Sequence, residues 1–181
     1  MYTIFFPIFA KLMLVVLMVN MAKKIRIISH SEEDTRNVAG MVAPLFHSGD
    51  IIILDGDLGA GKTYFVKGFA EGCHSKELVH SPTFSIANFY RTLQSDILHI
   101  DLFRISTIDE FYDMGLFDYF SQTIVLIEWG KKFEDLFEDY LLVSFVINND
   151  NTRTLTITNH GDKYAPTMDE LKNMLKGNDL C

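Results

Sequence analysis

The sequence predicts a three-layer α/β fold in which some of the strands are antiparallel. Short apolar runs typical of buried strands alternate with segments whose apolar residues recur at helical spacing. Near the C-terminal end, strand-like segments at residues 141–147 and 152–158 flank a polar turn, which predicts an antiparallel hairpin. The chain shows no repeat, low-complexity tract or linker, so we expect one domain over residues 22–181.

The first predicted elements are a strand at residues 25–28 and a helix that follows it. Ser29 and Ser31 are each followed three residues later by an acid, Glu32 and Asp34, which is a helix-start signature. The face of this helix has apolar residues at i, i+3, i+4 and i+7, namely Val38, Met41, Val42 and Leu45.

A buried strand is predicted next, at residues 51–54, and it runs directly into the glycine-rich segment GDLGAGKT at residues 56–63. A second helix follows this segment and ends near Gly72. The inner face of this helix comprises Phe65, Val66, Phe69 and Ala70.

The remaining elements are three strands and two helices. We expect strands at residues 84–90 and 97–102, joined by a turn-rich segment, and a buried strand at residues 124–127. Thr107 and Glu110 form a capping box for one helix, and Thr167 and Glu170 are expected to cap the last one.

The charge balance limits the functions that this chain can have. It has 24 acidic and 16 basic residues and a net charge of −8, which argues against a wide face that grips a nucleic-acid backbone. This balance does not exclude a local basic pocket for one nucleotide. Cys73 and Cys181 lie far apart and predict neither a metal site nor a disulfide framework.

Residues 1–21 form an apolar segment that differs from the rest of the sequence. Pro7 and Lys11 interrupt it, which disfavours a membrane-spanning helix, and it lacks the early basic residues of a signal peptide. We expect an extension outside the fold, with translation from Met21 as one explanation and a membrane anchor or a signal peptide as alternatives. No membrane association is expected of the domain itself.

The segment from Gly56 to Thr63 has the full spacing of a phosphate-binding loop. Its glycines let several backbone N–H groups point inward, and the following helix presents its partly positive N-terminus to phosphate oxygens. We expect Lys62 to reach the β- and γ-phosphates of a nucleotide and the Thr63 hydroxyl to ligate Mg²⁺.

Two strand ends offer the carboxylates that phosphate chemistry requires. Glu128 follows four apolar residues at 124–127, and Asp101 ends a similar run at 97–100. One acid is needed to hold Mg²⁺ or its waters and one to orient an attacking water. The alternative for each is a solvated carboxylate at a strand terminus.

Four segments together resemble the TsaE family (formerly YjeE), the ATPase component of bacterial tRNA threonylcarbamoyladenosine modification. They are GDLGAGKT, SPTF at residues 81–84, HIDLFR at residues 99–104 and IEW at residues 127–129. The resemblance extends from about residue 25 to residue 160. Phe103 stands where the family usually has tyrosine, and Gly130 where it often has proline.

The resemblance implies a P-loop NTPase-like fold, with a parallel core sheet extended by antiparallel strands at its edges. It also implies slow hydrolysis of ATP, with Mg²⁺, in complex with TsaD-like and TsaB-like proteins of the cytoplasm, which would bind the tRNA. The implied phosphate-binding residues are Asp57, Leu58, Gly59, Ala60, Gly61, Lys62 and Thr63.

The family's other implied roles fall on residues outside the phosphate loop. Thr63 and Glu128 would hold Mg²⁺, and Asp101 would hold a water or the metal. Residues 81–84, here called the switch segment, would sense the γ-phosphate through Thr83. Ser31 and Glu32 would lie near the adenine.

Several side chains allow two interpretations. His99 is either a hydrogen-bonded core residue or a ligand, and Trp129 either packs at a strand end or faces a partner. Arg104 either compensates phosphate charge or pairs with Asp109 or Glu110.

Two other functions compete with a partner-controlled ATPase. A small-molecule kinase on the same core would need an acceptor pocket and usually a lid with several arginines, whereas Arg104 is the single arginine between Asp101 and Trp129. A nucleotide-binding module without hydrolysis would not need the two acids at strand ends.

Overall fold

A seven-stranded sheet organises the computed structural model, which describes residues 24–176. The strands are β1 Lys24–Ser29, β2 Ile51–Gly56, β3 Ala87–Tyr90, β4 Ile97–Asp101, β5 Ile124–Glu128, β6 Tyr140–Ile147 and β7 Arg153–His160. The α-helices are α1 Glu32–Val42, α2 Lys62–Gly72, α3 Ile108–Asp113 and α4 Ala165–Lys176. Short 3₁₀ turns lie at Ala43–Leu45, Leu116–Tyr119 and Gly130–Leu136.

The strand order confirms the predicted arrangement of the sheet. It is β1-β7-β6-β2-β5-β4-β3, and the four central strands β6, β2, β5 and β4 are mutually parallel. Antiparallel pairing adds β7 and β1 at one edge and β3 at the other. The apolar segment 1–21 lies outside the described residues.

Helices cover both faces of the sheet, as a three-layer fold requires. One core contains β2 residues Ile52 and Leu54 together with side chains of α1, α2 and α4. The other core contains Ile53, which points to the opposite face, together with Phe111 of α3 and aromatic residues of the 3₁₀ turns. No helix among residues 24–176 is long and apolar enough to cross a bilayer.

The helix that follows the phosphate loop lies unusually close to α1. A Cβ atom on Gly68 of α2 would collide with the backbone of Arg36, and one on Gly72 would collide with the carbonyl oxygen of Gly40. The Arg36 side chain also forms a bidentate pair with Glu71, with nitrogen–oxygen distances of 2.6 and 2.5 Å. These contacts set the position of α2 against α1.

Two predicted element starts are wrong. Strand β3 begins at Ala87 instead of residue 84, because Ile86 adopts a φ of 69° and its N–H donates to the Pro82 carbonyl, which closes a turn. Helix α4 begins at Ala165, so Thr167 lies within the first turn and does not cap it. Pro166 suits that turn, since its fixed φ is helical and the N–H it lacks would have no helical partner there.

Candidate active site

The phosphate loop, residues 56–63, joins the end of β2 to the start of α2. Gly61 has a φ of 110°, a conformation that disfavours any residue with a Cβ atom. A Cβ atom on Gly56 would lie 2.6 Å from the carbonyl oxygen of Phe145 in β6, so the strand can be this close only with glycine. The loop therefore has the backbone shape that its glycines predict.

Lys62 is buried at the first position of α2, with 4% of its surface exposed. Its Nζ donates to the carbonyl oxygens of Gly56 and Asp57 at 2.6 and 2.9 Å. The same ammonium lies 3.8 Å from the centre of the Trp129 ring. Burial lowers the pKa of Lys62, whereas Glu128 and the other nearby carboxylates oppose that shift.

Glu128 lies across a narrow gap from the phosphate loop. The Thr63 hydroxyl donates to its Oε1 at 2.8 Å, and the His99 Nε2 lies 3.0 Å from the same oxygen. Glu128 is 3% exposed and His99 is fully buried. The Thr63 hydrogen bond keeps the Oγ1 lone pairs available to a cation, because the hydroxyl proton points to the carboxylate.

Asp101 lies beside Glu128, since the two residues are register partners of the parallel strands β4 and β5. Its Oδ1 accepts from the backbone N–H of Phe103 at 2.9 Å, and its Oδ2 accepts from the Thr83 hydroxyl at 2.6 Å. Thr83 is also 2.8 Å from the Ser81 hydroxyl. The switch segment is therefore hydrogen-bonded to one of the two strand-end acids.

A cavity of about 270 Å³ lies between these elements. Its lining residues are Glu32, Leu58, Gly59, Gly61, Lys62, Thr63, Tyr64, Ser81, Thr83, Asp101, Phe103, Glu128 and Trp129. Two loop residues expected to hold phosphates, Asp57 and Ala60, do not line the cavity with their side chains. Ala60 is fully buried, and Asp57 is exposed.

The two residues expected near an adenine have different surroundings. Glu32 lines the cavity and accepts a hydrogen bond from Tyr64, which raises the pKa of that phenol. Ser31 caps α1 by accepting from the Asp34 backbone N–H at 3.0 Å, and it does not line the cavity. The helix start predicted at Ser31 and Asp34 is therefore confirmed. The other predicted start, at Ser29 and Glu32, is wrong, because Ser29 lies within β1.

The donors that converge on the cavity fit Mg²⁺ chemically. The Thr63 hydroxyl and the carboxylates of Glu128 and Asp101 are hard oxygen ligands. Among residues 24–176, no group of three or more His, Cys, Asp and Glu side chains could hold a metal ion. Mg²⁺ is usually held by one or two carboxylates together with substrate phosphates and waters, so this small donor set suits it.

The structure resolves two choices that the sequence left open. His99 is a hydrogen-bonded core residue, and its partner is the carboxylate of Glu128. Trp129 packs against the core at the end of β5, and its ring also lines the cavity, against the Lys62 ammonium and 5.1 Å from the Phe103 ring. Arg104 is exposed and does not line the cavity.

Tyr64 and Phe103 line the cavity although no single sequence signal marked them. Tyr64 directly follows the phosphate loop on α2. Its position in the first turn after the loop could have identified it as a cavity residue. Phe103 lies two residues beyond Asp101, within the HIDLFR segment.

Comparisons with known proteins give a consistent result. A family model described as "Threonylcarbamoyl adenosine biosynthesis protein TsaE" matches residues 29–155. The chain is 38% identical to the tRNA threonylcarbamoyladenosine biosynthesis protein TsaE of Bacillus subtilis over 77% of this chain and 88% of that protein. It is 35% identical to the protein of the same name from Streptomyces coelicolor, over 72% of this chain and 93% of that protein.

A solved structure supports the same relationship. The crystal structure of Bacillus subtilis YdiB superposes with a TM-score of 0.72 at 31% sequence identity. The match covers 83% of this chain and 95% of that one. The family match at residues 29–155 includes the phosphate loop and the strands that carry the two acids.

Proposed function

Because this chain belongs to the TsaE family of tRNA threonylcarbamoyladenosine biosynthesis, we propose that it binds and hydrolyses ATP as a nucleotide-driven switch within that system. The hydrogen bond between Thr63 and Glu128 carries the proposal. It joins a complete phosphate loop to a buried strand-end carboxylate, which is the pairing that nucleotide hydrolysis requires.

The loop residues would bind the triphosphate. Backbone N–H groups of residues 57–63 and the N-terminus of α2 favour phosphate oxygens. Lys62 would exchange its two backbone carbonyl partners for the β- and γ-phosphates. Its burial strengthens that attraction, because charges interact more strongly where water is excluded.

Thr63 and Glu128 would hold Mg²⁺, which when bound neutralises charge that develops on the transferring phosphate. Asp101 would orient the attacking water or hold a water of the metal. Both acids are 4% exposed or less, so neither is a solvated carboxylate at a strand terminus. That burial supports their use in the site.

Thr83 supports the proposed switch. Its hydroxyl donates to Asp101, so a bound γ-phosphate can compete for that hydroxyl and reposition residues 81–84. Phe84 is 92% exposed at the end of the segment. Movement of Thr83 would therefore move an apolar side chain that a partner protein can contact.

We propose TsaD-like and TsaB-like proteins as partners, with tRNA bound through them in the cytoplasm. The net charge of −8 supports this indirect arrangement, because an acidic chain has little attraction for a phosphate backbone.

Incubation of radiolabelled ATP with the full chain, alone and with TsaB and TsaD, tests the function. We expect phosphate release to water, increased by the partners and abolished by EDTA. Transfer of the label to a small acceptor would indicate a kinase instead. Binding without turnover in every mixture would indicate a nucleotide-binding module.

A further inference from the structure

His99 has no role in the function proposed above, yet it touches the centre of the site. Its side chain is fully buried, and its Nε2 lies 3.0 Å from Oε1 of Glu128. An ionised carboxylate only accepts hydrogen bonds, so the imidazole must carry its proton on Nε2 for this contact. A polar ring in such a position needs partners, and the carboxylate provides one.

The geometry of the sheet places this pair. Successive residues of a strand point to opposite faces, so His99 and Asp101 of β4 share the face that carries Glu128 of β5. His99 is the register partner of Leu126 and thus the diagonal neighbour of Glu128. Diagonal neighbours are within reach of long side chains.

The two hydrogen bonds to Glu128 fall on the same oxygen. Oε1 accepts from Thr63 and from His99, and no hydrogen bond within residues 24–176 ends on Oε2. The imidazole therefore fixes the rotation of the carboxylate, so that one oxygen faces Thr63 and the other stays available for a ligand.

The opposite edge of the imidazole faces Tyr90. With the proton on Nε2, His99 Nδ1 is an acceptor, and it lies 3.5 Å from the Tyr90 hydroxyl. The single proton of that hydroxyl can go to Nδ1 or to the His80 carbonyl oxygen at 3.0 Å, and the hydroxyl oxygen accepts from the His80 N–H at 3.3 Å. Tyr90 is 3% exposed. His80 directly precedes the switch segment, so this chain of contacts runs from Glu128 to the start of that segment.

We propose that His99 is a positioning residue that orients Glu128 toward Thr63 and, through Tyr90, ties this carboxylate to the switch segment. The inference rests on the proposed function, because it assigns Glu128 to Mg²⁺. The switch segment is then connected to both acids: to Asp101 through Thr83, and to Glu128 through Tyr90 and His99.

Two polar variants separate a positioning role from a structural one. In His99→Gln, the amide nitrogen can take the place of Nε2 and still reach Glu128. In His99→Asn, the amide is shorter and reaches only toward Tyr90. Both remove the ring and keep a polar group, so their effects on folding should be similar.

The measurement is the affinity of the full chain for ATP by calorimetry, over a Mg²⁺ titration and in EDTA. We expect His99→Asn to weaken the apparent Mg²⁺ affinity by about 10- to 100-fold, as losses of groups that orient metal ligands typically do. His99→Gln should remain near the wild-type value, and ATP binding in EDTA should be unchanged in both.

The possible failures are distinguishable. If the wild-type chain binds ATP with no Mg²⁺ dependence, the proposed function fails and the positioning role with it. The positioning role alone is overturned if Glu128→Gln loses the Mg²⁺ dependence of ATP binding but both His99 variants keep the wild-type Mg²⁺ affinity. The same conclusion follows if both His99 variants weaken the Mg²⁺ affinity equally.

A second pair of variants tests the link between Glu128 and the switch segment. This pair still tests the proposal if the His99 variants fail to fold, which non-cooperative melting would show. Tyr90→Phe should reduce the Mg²⁺-dependent hydrogen-exchange protection of residues 80–84, and the bond between Thr83 and Asp101 should preserve the remainder. Tyr140→Phe is the matched control, since it removes a buried tyrosine hydroxyl 3.0 Å from His160, outside the cavity. Equal protection in both variants overturns the link.

Discussion

The Thr63 hydroxyl donates a 2.8 Å hydrogen bond to Oε1 of Glu128, and this bond connects the first turn of α2 with the carboxyl end of β5. The two residues are 65 positions apart in the sequence. Their contact closes the gap between the phosphate loop and the strand-end acids, and it is the first target for mutation.

Glu128→Gln should reduce ATP hydrolysis by about 10²- to 10³-fold, because it removes the charge that would hold the metal in the transition state. ATP binding in EDTA should persist. Phosphate release at saturating ATP and Mg²⁺, with the partners present, measures the effect. Asp113→Asn, on the exposed side of α3, is the charge-matched control, and parental turnover in Glu128→Gln would refute the metal assignment.

Trp129 should report nucleotide binding, because it is the single tryptophan of the chain and its ring lies 3.8 Å from the Lys62 ammonium. ATP should draw that ammonium toward the phosphates and change the tryptophan emission. Lys62→Met should abolish both this change and turnover. Lys172→Met, on the exposed side of α4, should respond to ATP as the wild type does.

Thr83→Val keeps the shape of the side chain and removes the hydrogen bond to Asp101. A bond to a charged group at this half-exposed position contributes about 1.5 kcal/mol, so opening of the switch segment should become roughly tenfold more frequent. Hydrogen exchange of residues 81–84 with an ATP analogue and with ADP measures this. In the control Ser85→Ala, hydrogen exchange should still differ between the ATP analogue and ADP. If the same difference persists in Thr83→Val, the switch is contradicted.

Gly68→Ala should lower the free energy of unfolding by about 1–3 kcal/mol, because the added methyl group must push α2 away from the backbone of Arg36. Urea denaturation measures the loss. Lys67→Ala, at the neighbouring half-buried position, should change stability by about 0.5 kcal/mol or less. If Gly68→Ala lowers the free energy of unfolding no more than Lys67→Ala does, α1 and α2 can move apart at little cost.

Burial raises the pKa of the Cys73 thiol from 9.0 to about 11. Because the folded state retains a proton that the unfolded state loses above pH 9, this thiol contributes full stability below that pH, and the contribution falls as the pH approaches 11. In a Cys181→Ser background, a thiol reagent at pH 8 should label Cys73 only at the rate of unfolding. Immediate labelling of the folded chain would disprove this.

Local signals predicted most of the elements. The capping box of Thr107 and Glu110 is present with both of its hydrogen bonds. Side-chain caps and backbone freedom act over a few residues, so they can be read directly from the chain. The errors at β3 and α4 are also local, since a turn at Ile86 and a proline at position 166 outweigh the apolar and capping patterns.

The sequence by itself determined that a strand would run through a glycine loop into a helix, and that Asp101 and Glu128 would end strands. These features depend on spacing along the chain. Only the tertiary structure decided that His99 bonds to Glu128, that Trp129 covers Lys62 and that Thr83 bonds to Asp101. Such contacts join separate segments, and strand order, register and helix packing bring those segments together.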